Sequence, residues 1–198
     1  TPHSPEAVAA FGKMAAAVVA RFPAITSVEI GNEFNGQDFV TGPVRATSSM
    51  DRAARYMSLL KSSHAQVKSQ NAATRVIGGA VLGIPVGYLA HIFALGGADY
   101  MDALAIHPYT TSVEQFTRQI AVLRRIKAAS TLPIEVTEFG DPDPVTAPGH
   151  LLKAYCQFAL AGVTRLIWYP LSPRGDGMTP LFDQKGNKTS VGQTYGFV

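Results

Sequence analysis

In Ile25-Thr-Ser-Val-Glu-Ile-Gly-Asn-Glu-Phe-Asn-Gly36 a run of β-formers gives way to a polar loop ending in glycine, and Pro133-Ile-Glu-Val-Thr-Glu-Phe-Gly140 repeats the pattern. Val, Ile and Thr suit a pleated strand, while Asn and Gly mark where one stops. Glu33 and Glu138 stand at the two ends, each followed by Phe. Two carboxyl groups at the carboxyl ends of separate parallel strands can converge on one bond. Glycosidic hydrolysis needs that arrangement: one group protonates the leaving oxygen and the other attacks or activates water. The acid of such a pair must keep its proton near neutrality, through burial or a neighbouring carboxylate.

Outward from these segments the chain alternates strands with helices. Ser4-Pro5-Glu6 reads as a helix start, with a capping Ser and Pro at the first helical position. Val8, Phe11, Ala15, Val18 and Phe22 then recur at helical spacing as one buried stripe. Strands are predicted near 25–30, 75–80, 101–107, 134–138 and 164–169, and helices near 51–69, 86–95, 116–126, 150–161 and 190–195. Ser112-Val-Glu-Gln115 has the form of a capping box. A helix in every gap between strands makes the chain a run of about five βα units, an α/β fold with parallel strands and outer helices. Ligands of such folds bind beyond the carboxyl ends of the strands. Glu33, His107, Glu138 and Trp168 all fall at that edge.

Composition predicts one soluble domain, residues 1–198, with a substantial core. With 46% hydrophobic and 16% charged residues the chain does not suit disorder. No apolar run approaches the roughly 20 residues of a membrane span. The start, Thr1-Pro-His-Ser, reads as processed or cut from something longer. The net charge of +3 suggests no nucleic-acid partner, because Arg124-Arg125-Ile-Lys127 reads as a solvated helix face. The compartment is left open, a secreted or periplasmic one included. The five histidines show no His-x-x-x-His spacing and Cys156 is alone, so no metal site is expected.

Taken together, Asn32-Glu33, His107-Pro-Tyr109, Thr137-Glu138-Phe-Gly140, Trp168 in Ile167-Trp-Tyr-Pro170 and the ending Leu181-Phe-Asp-Gln-Lys-Gly-Asn-Lys188 resemble glycoside hydrolase clan A, near families 39 and 5. The resemblance runs from about residue 24 to the end. It implies a retaining enzyme on a (β/α)8 barrel, with Glu33 as acid/base and Glu138 as nucleophile. Asn32 would hold the substrate 2-hydroxyl, His107 and Tyr109 would line the site, and Trp168 would offer a face for the sugar. No cofactor is implied.

If the Ile25 strand corresponds to the fourth of that barrel, the chain holds strands four to eight and lacks three. It would be a truncated TIM barrel, short of the usual size of about 250 residues. Unpaired strand edges and apolar inner faces would then invite a homodimer over the open side. A second class also fits: a catalytically inactive barrel remnant that binds a saccharide or serves in assembly. Glu29 and Glu135 are read as surface or capping carboxylates, and Asp141 and Asp143 as solvated loop groups.

Overall fold

The computed structural model describes residues 1–198. Five parallel strands form one sheet in sequence order: β1 (Ser27–Glu29), β2 (Arg75–Leu82), β3 (Ala103–His107), β4 (Ile134–Phe139) and β5 (Val163–Trp168). The helices are α1 (Pro5–Arg21), α2 (Ser49–Gln70), α3 (Val86–Ala94), α4 (Phe116–Leu123), α5 (Ala147–Leu160) and α6 (Ser190–Tyr195). Every strand-to-strand crossover carries a helix, so the fold is the expected α/β partial barrel. The sheet curls far enough for the Arg165 guanidinium of β5 to donate to the Ser27 hydroxyl of β1 at 3.1 Å.

Alternation along the strands separates two faces. Val76, Leu104, Ile106, Ile134 and Val136 point outward into one large core shared with the helices. Ser4 caps α1 by accepting from the Ala7 N–H, with Pro5 in the first turn. Of the expected stripe Ala15 is buried and Val8 and Phe11 pack half-buried on the core, but Gly12, Ala16 and Val19 complete the buried side while Val18 and Phe22 are exposed. Small residues let α1 sit close on α2: a Cβ at position 12 would clash with the Ser62 side chain and backbone. The Ser112 capping box does not form. Val113–Gln115 is a 3-10 turn, and the Ser112 hydroxyl donates to Glu114 instead. Arg124 is also not simply solvated, because it donates to the carbonyls of Ala129 and Leu132.

The concave face departs most from expectation. Its apolar part is only Ile77, Ala103 and Ala105, a small cluster separate from the main core. Around it Arg75 lies 2.6 Å and Arg165 3.6 Å from the two oxygens of Glu135, which is 1% exposed. Glu135 is therefore a buried, ion-paired group and not a surface carboxylate. Glu29 also faces inward, accepting from the Thr137 hydroxyl at 3.0 Å. The strand edges of β1 and β5 are unpaired as expected, but the inner face between them is charged, not apolar.

Candidate functional site

Two bulges shape the carboxyl-terminal rim. Between β2 and β3 the pairing steps from Gly78–Leu104 to Val81–Ile106, so β2 carries one extra residue. Between β4 and β5 it steps from Val136–Leu166 to Phe139–Trp168, with the extra residue in β4. A bulge re-aims side chains that strict alternation would send to the other face. In β4, Val136 and Phe139 stay in the outer core while Thr137 contacts Glu29 on the inner face. Glu138, next in line, is thereby free to turn to the rim, where it meets Tyr109 and His107. In β2 the bulge includes Gly79 (φ 92°) and Ala80 (φ 46°), and the freed Ala80 carbonyl accepts the Glu33 N–H at 2.6 Å. A Cβ at Gly79 would strike Leu104 and the Ala105 carbonyl, so the bulge needs glycine there.

Glu33 itself has φ of 48°, in the left-handed region that residues with a Cβ rarely adopt. Its neighbours over-determine it: beside the bond to Ala80, its carbonyl accepts from the Gly36 N–H at 2.8 Å. Such strain gathers at functional sites. Tyr56 braces the same turn, its buried hydroxyl donating to the Ile30 carbonyl and accepting from the Gly79 N–H.

His107, the last residue of β3, is 1% exposed and surrounded by carboxylates. Its Nδ1 lies 3.0 Å from Glu33 and 3.5 Å from Glu138, and its Nε2 lies 3.3 Å from Glu29 and 3.2 Å from the Thr137 hydroxyl. Burial alone would lower the imidazole. The hydrogen bonds to Glu29 and Glu33, joined by the charge of Glu138, outweigh burial and push it up to about 9. At neutral pH both ring nitrogens therefore carry protons, and Nδ1 donates to Glu33. Tyr109 donates its hydroxyl to Glu138 at 2.9 Å. Burial first, and then the Glu138 charge, raise that phenol far above its ordinary value, so it remains a donor.

The structure thus brings Glu33, His107, Tyr109 and Glu138 together, with one oxygen from each glutamate within 4.8 Å of the other. Asn32 is half-buried in the turn that carries Glu33. Trp168 is not brought to the site. It is 3% exposed, lies edge-on to Phe139 and His150, and its indole N–H donates to the Thr179 carbonyl. The β4 bulge pairs it with Phe139 on the outer face, so the indole is core rather than a platform. The donor atoms of Glu33, His107 and Glu138 are also near enough to hold a metal ion, although spacing along the chain gave no such sign. A cation there would have to displace the proton that Nδ1 gives to Glu33.

Glu29, read along the chain as a surface or capping carboxylate, and Thr137, given no role of its own there, both meet His107 Nε2. The signal was present: Ser27 and Glu29 share the inner face of β1 by alternation, as do Glu135 and Thr137 on β4.

No protein-family model matches the sequence, and no curated protein matches it. Solved structures do match. A monomeric β-xylosidase from Caulobacter crescentus CB15 superposes with a TM-score of 0.72 at 18% identity, covering 97% of this chain and 46% of that one. A family 39 glycoside hydrolase from Bacteroides cellulosilyticus WH2 gives 0.74 at 18% identity, covering 96% and 44%. The chain shares its fold with family 39 glycoside hydrolases. An exo-β-1,4-mannosidase from Opitutaceae bacterium strain TAV5 follows at 0.70 and 14% identity, covering 98% and 39%. This glycosidase-like fold therefore spans less than half the length of these neighbours.

Proposed function

We propose that the chain hydrolyses a β-linked glycan or glycoside by a retaining double displacement. The observation that carries this reading is the carboxylate pair, with oxygens within 4.8 Å at the carboxyl ends of β1 and β4. Oxygens that close fit the roughly 5–5.5 Å between the carboxyls of retaining enzymes better than the roughly 6.5–9.5 Å of inverting ones. Glu138, steadied by Tyr109, attacks the anomeric carbon as the bond to the leaving oxygen breaks. Glu33 gives that oxygen its proton. Glu33 then takes a proton from water, which displaces Glu138 and restores both groups. His107 donates from Nδ1 to the Glu33 oxygen that does not carry the acid proton, and its positive charge sits between the Glu29 and Glu138 carboxylates. Asn32 binds a sugar hydroxyl at the rim.

The test is a panel of activated aryl glycosides, xylosides, glucosides and mannosides among them, with wild type beside Glu138→Ala. Turnover lost in the variant supports the reading. No turnover on any sugar favours a saccharide-binding remnant instead, a reading supported by how little of the neighbours' length the chain spans.

We also propose that a second copy covers the open side. Met14, Val18 and Phe22 form an exposed apolar stripe along α1, and Leu152, Tyr155 and Leu160 form another on α5. Sedimentation giving a monomer at every concentration would reject the dimer.

A further inference from the structure

A cleft of about 600 Å3 opens beside the carboxylate pair, between the loop after β3 and the loop that leads from β4 into α5. Tyr109 lines it and also donates to Glu138, so the cleft begins one residue away from the carboxylates. Its volume lies in the range of ligand sites, but its lining does not suit an apolar ligand: of twelve residues only three are hydrophobic. Hydroxyls and carboxylates make up most of the rest.

The walls are built rather than loose. Asp141 accepts from the Asp143 N–H at 2.9 Å and from the Thr146 hydroxyl at 2.9 Å, which fixes the rim on the α5 side. His150 packs tilted on Phe139 and edge-on to Trp168, and it lines the cleft. Burial keeps that imidazole below its ordinary value, so at neutral pH it is an uncharged donor and acceptor. Lys153 meets Glu114 at 3.3 Å and bridges the two walls. Val145, 85% exposed, adds one apolar surface among the polar groups. A sugar ring needs that mixture: hydroxyl partners around its edge and one apolar contact for its C–H face.

We propose that this cleft binds a further sugar unit of the glycan being cleaved, so that the chain acts on β-linked oligosaccharides in preference to single-sugar glycosides. The proposal rests on the glycosidase reading for the position of the cleaved bond, but saccharide binding in the cleft can be measured without turnover. Position 149 provides the probe. Gly149 lines the cleft in the first turn of α5, and a Cβ there would meet nothing within 4 Å. A side chain at 149 therefore leaves the backbone into open space at the cleft wall, and Val145→Arg obstructs the cleft from an exposed position.

Binding of β-1,4-linked trisaccharides of xylose, glucose and mannose is measured calorimetrically on Glu138→Gln, alone and combined with Gly149→Trp or Val145→Arg. The proposal expects at least one trisaccharide to bind, and either blocking change to weaken it tenfold or more. On the Glu138 background, Gly149→Trp lowers the ratio of trisaccharide to single-sugar aryl glycoside kcat/KM at least tenfold. Unchanged affinity in both blocked variants, or no binding of any trisaccharide, overturns it. Binding that the blocking changes abolish, in a protein that turns over no aryl glycoside, upholds the cleft and rejects the glycosidase reading.

Discussion

The cage around His107 makes stability depend on pH in a window where few groups titrate. Against burial, the surrounding carboxylates push the imidazole from its ordinary value near 6.5 up to about 9. At about 1.4 kcal/mol for each tenfold gain in proton affinity, this amounts to about 3 kcal/mol between pH 6 and pH 9.5. The sign follows from the direction of the shift. A raised value means that the folded state holds the proton more tightly, so the contribution is fully present below 6.5 and is lost as pH rises through 9. His64 and His150 are pushed the other way by burial and act below 6.5, and their contribution at pH 6 is common to wild type and variant. The perturbation is His107→Gln, which keeps a polar group of similar reach but no titration. Urea unfolding of both proteins at pH 6 and pH 9.5 gives the double difference. Wild type is expected to lose about 3 kcal/mol more than the variant between the two values. Equal losses in the two proteins would refute the caged imidazolium and with it the hydrogen-bond assignment around Glu29, Glu33 and Glu138.

Four further outcomes follow from the geometry. Tyr109→Phe removes a hydrogen bond to a charged acceptor, worth about 1.5–3 kcal/mol, so kcat/KM should fall roughly 10- to 150-fold with the unfolding midpoint nearly unchanged; an unaltered rate would detach Tyr109 from the chemistry. Arg75→Met leaves buried Glu135 with only the more distant Arg165 and should cost about 2–3 kcal/mol, whereas Arg165→Met should cost under about 1 kcal/mol, read by chemical denaturation; equal costs would mean the two arginines share the charge evenly. Trp168→Phe strands the Thr179 carbonyl and should destabilise by about 1–3 kcal/mol without raising KM; a tenfold higher KM at unchanged stability would return the indole to the substrate. Ala80→Gly removes a Cβ from a left-handed position and should stabilise by about 0.5–1 kcal/mol after the entropy cost of glycine; a lower melting temperature would mean the Ala80 methyl is needed for packing.

The strands and helices were legible because each has its own period and its own punctuation. Ser4-Pro5 and the β-branched strands are local signals, and local signals survive without knowledge of the fold. The rim was legible as a set of strand ends, so Glu33, His107, Tyr109 and Glu138 could be expected together. Trp168 was misplaced because a one-residue bulge in β4 decides which face its pairing partner Phe139 takes, and no residue type in Thr137-Glu138-Phe139 announces a bulge. The α1 stripe holds at Val8, Phe11 and Ala15 but not at Val18 and Phe22, for a related reason. Close approach to α2 selects Gly12 and Ala16 for smallness, which hydrophobic spacing alone does not weigh. Glu135 is an ordinary strand glutamate until the curl of the sheet encloses it, whereas Glu29 stays exposed and is set apart only by its reach to His107 and Thr137.

That curvature also changes what the open side can accept. Barrels of this class fill their interior with layers of branched aliphatic side chains. Here the corresponding positions include Ser27, Arg75, Glu135 and Arg165, paired with one another across the concavity, and Glu29, which accepts from Thr137. An aliphatic surface laid over them would strip water from Arg75 and Arg165, whose side chains are 35% and 40% exposed, and offer no partner in return. A covering surface must therefore be polar where it meets the concave face. Its apolar contacts belong instead along the stripes of α1 and α5, with backbone pairing at the edges of β1 and β5. The same charges let five strands keep a curled shape without an aliphatic interior, because the Arg165–Ser27 bond and the Glu135 ion pairs hold opposite sides of the sheet at a fixed distance. The carboxylate pair at the rim inherits that rigidity: Glu29 is at once part of the inner face and the acceptor that orients His107 toward Glu33.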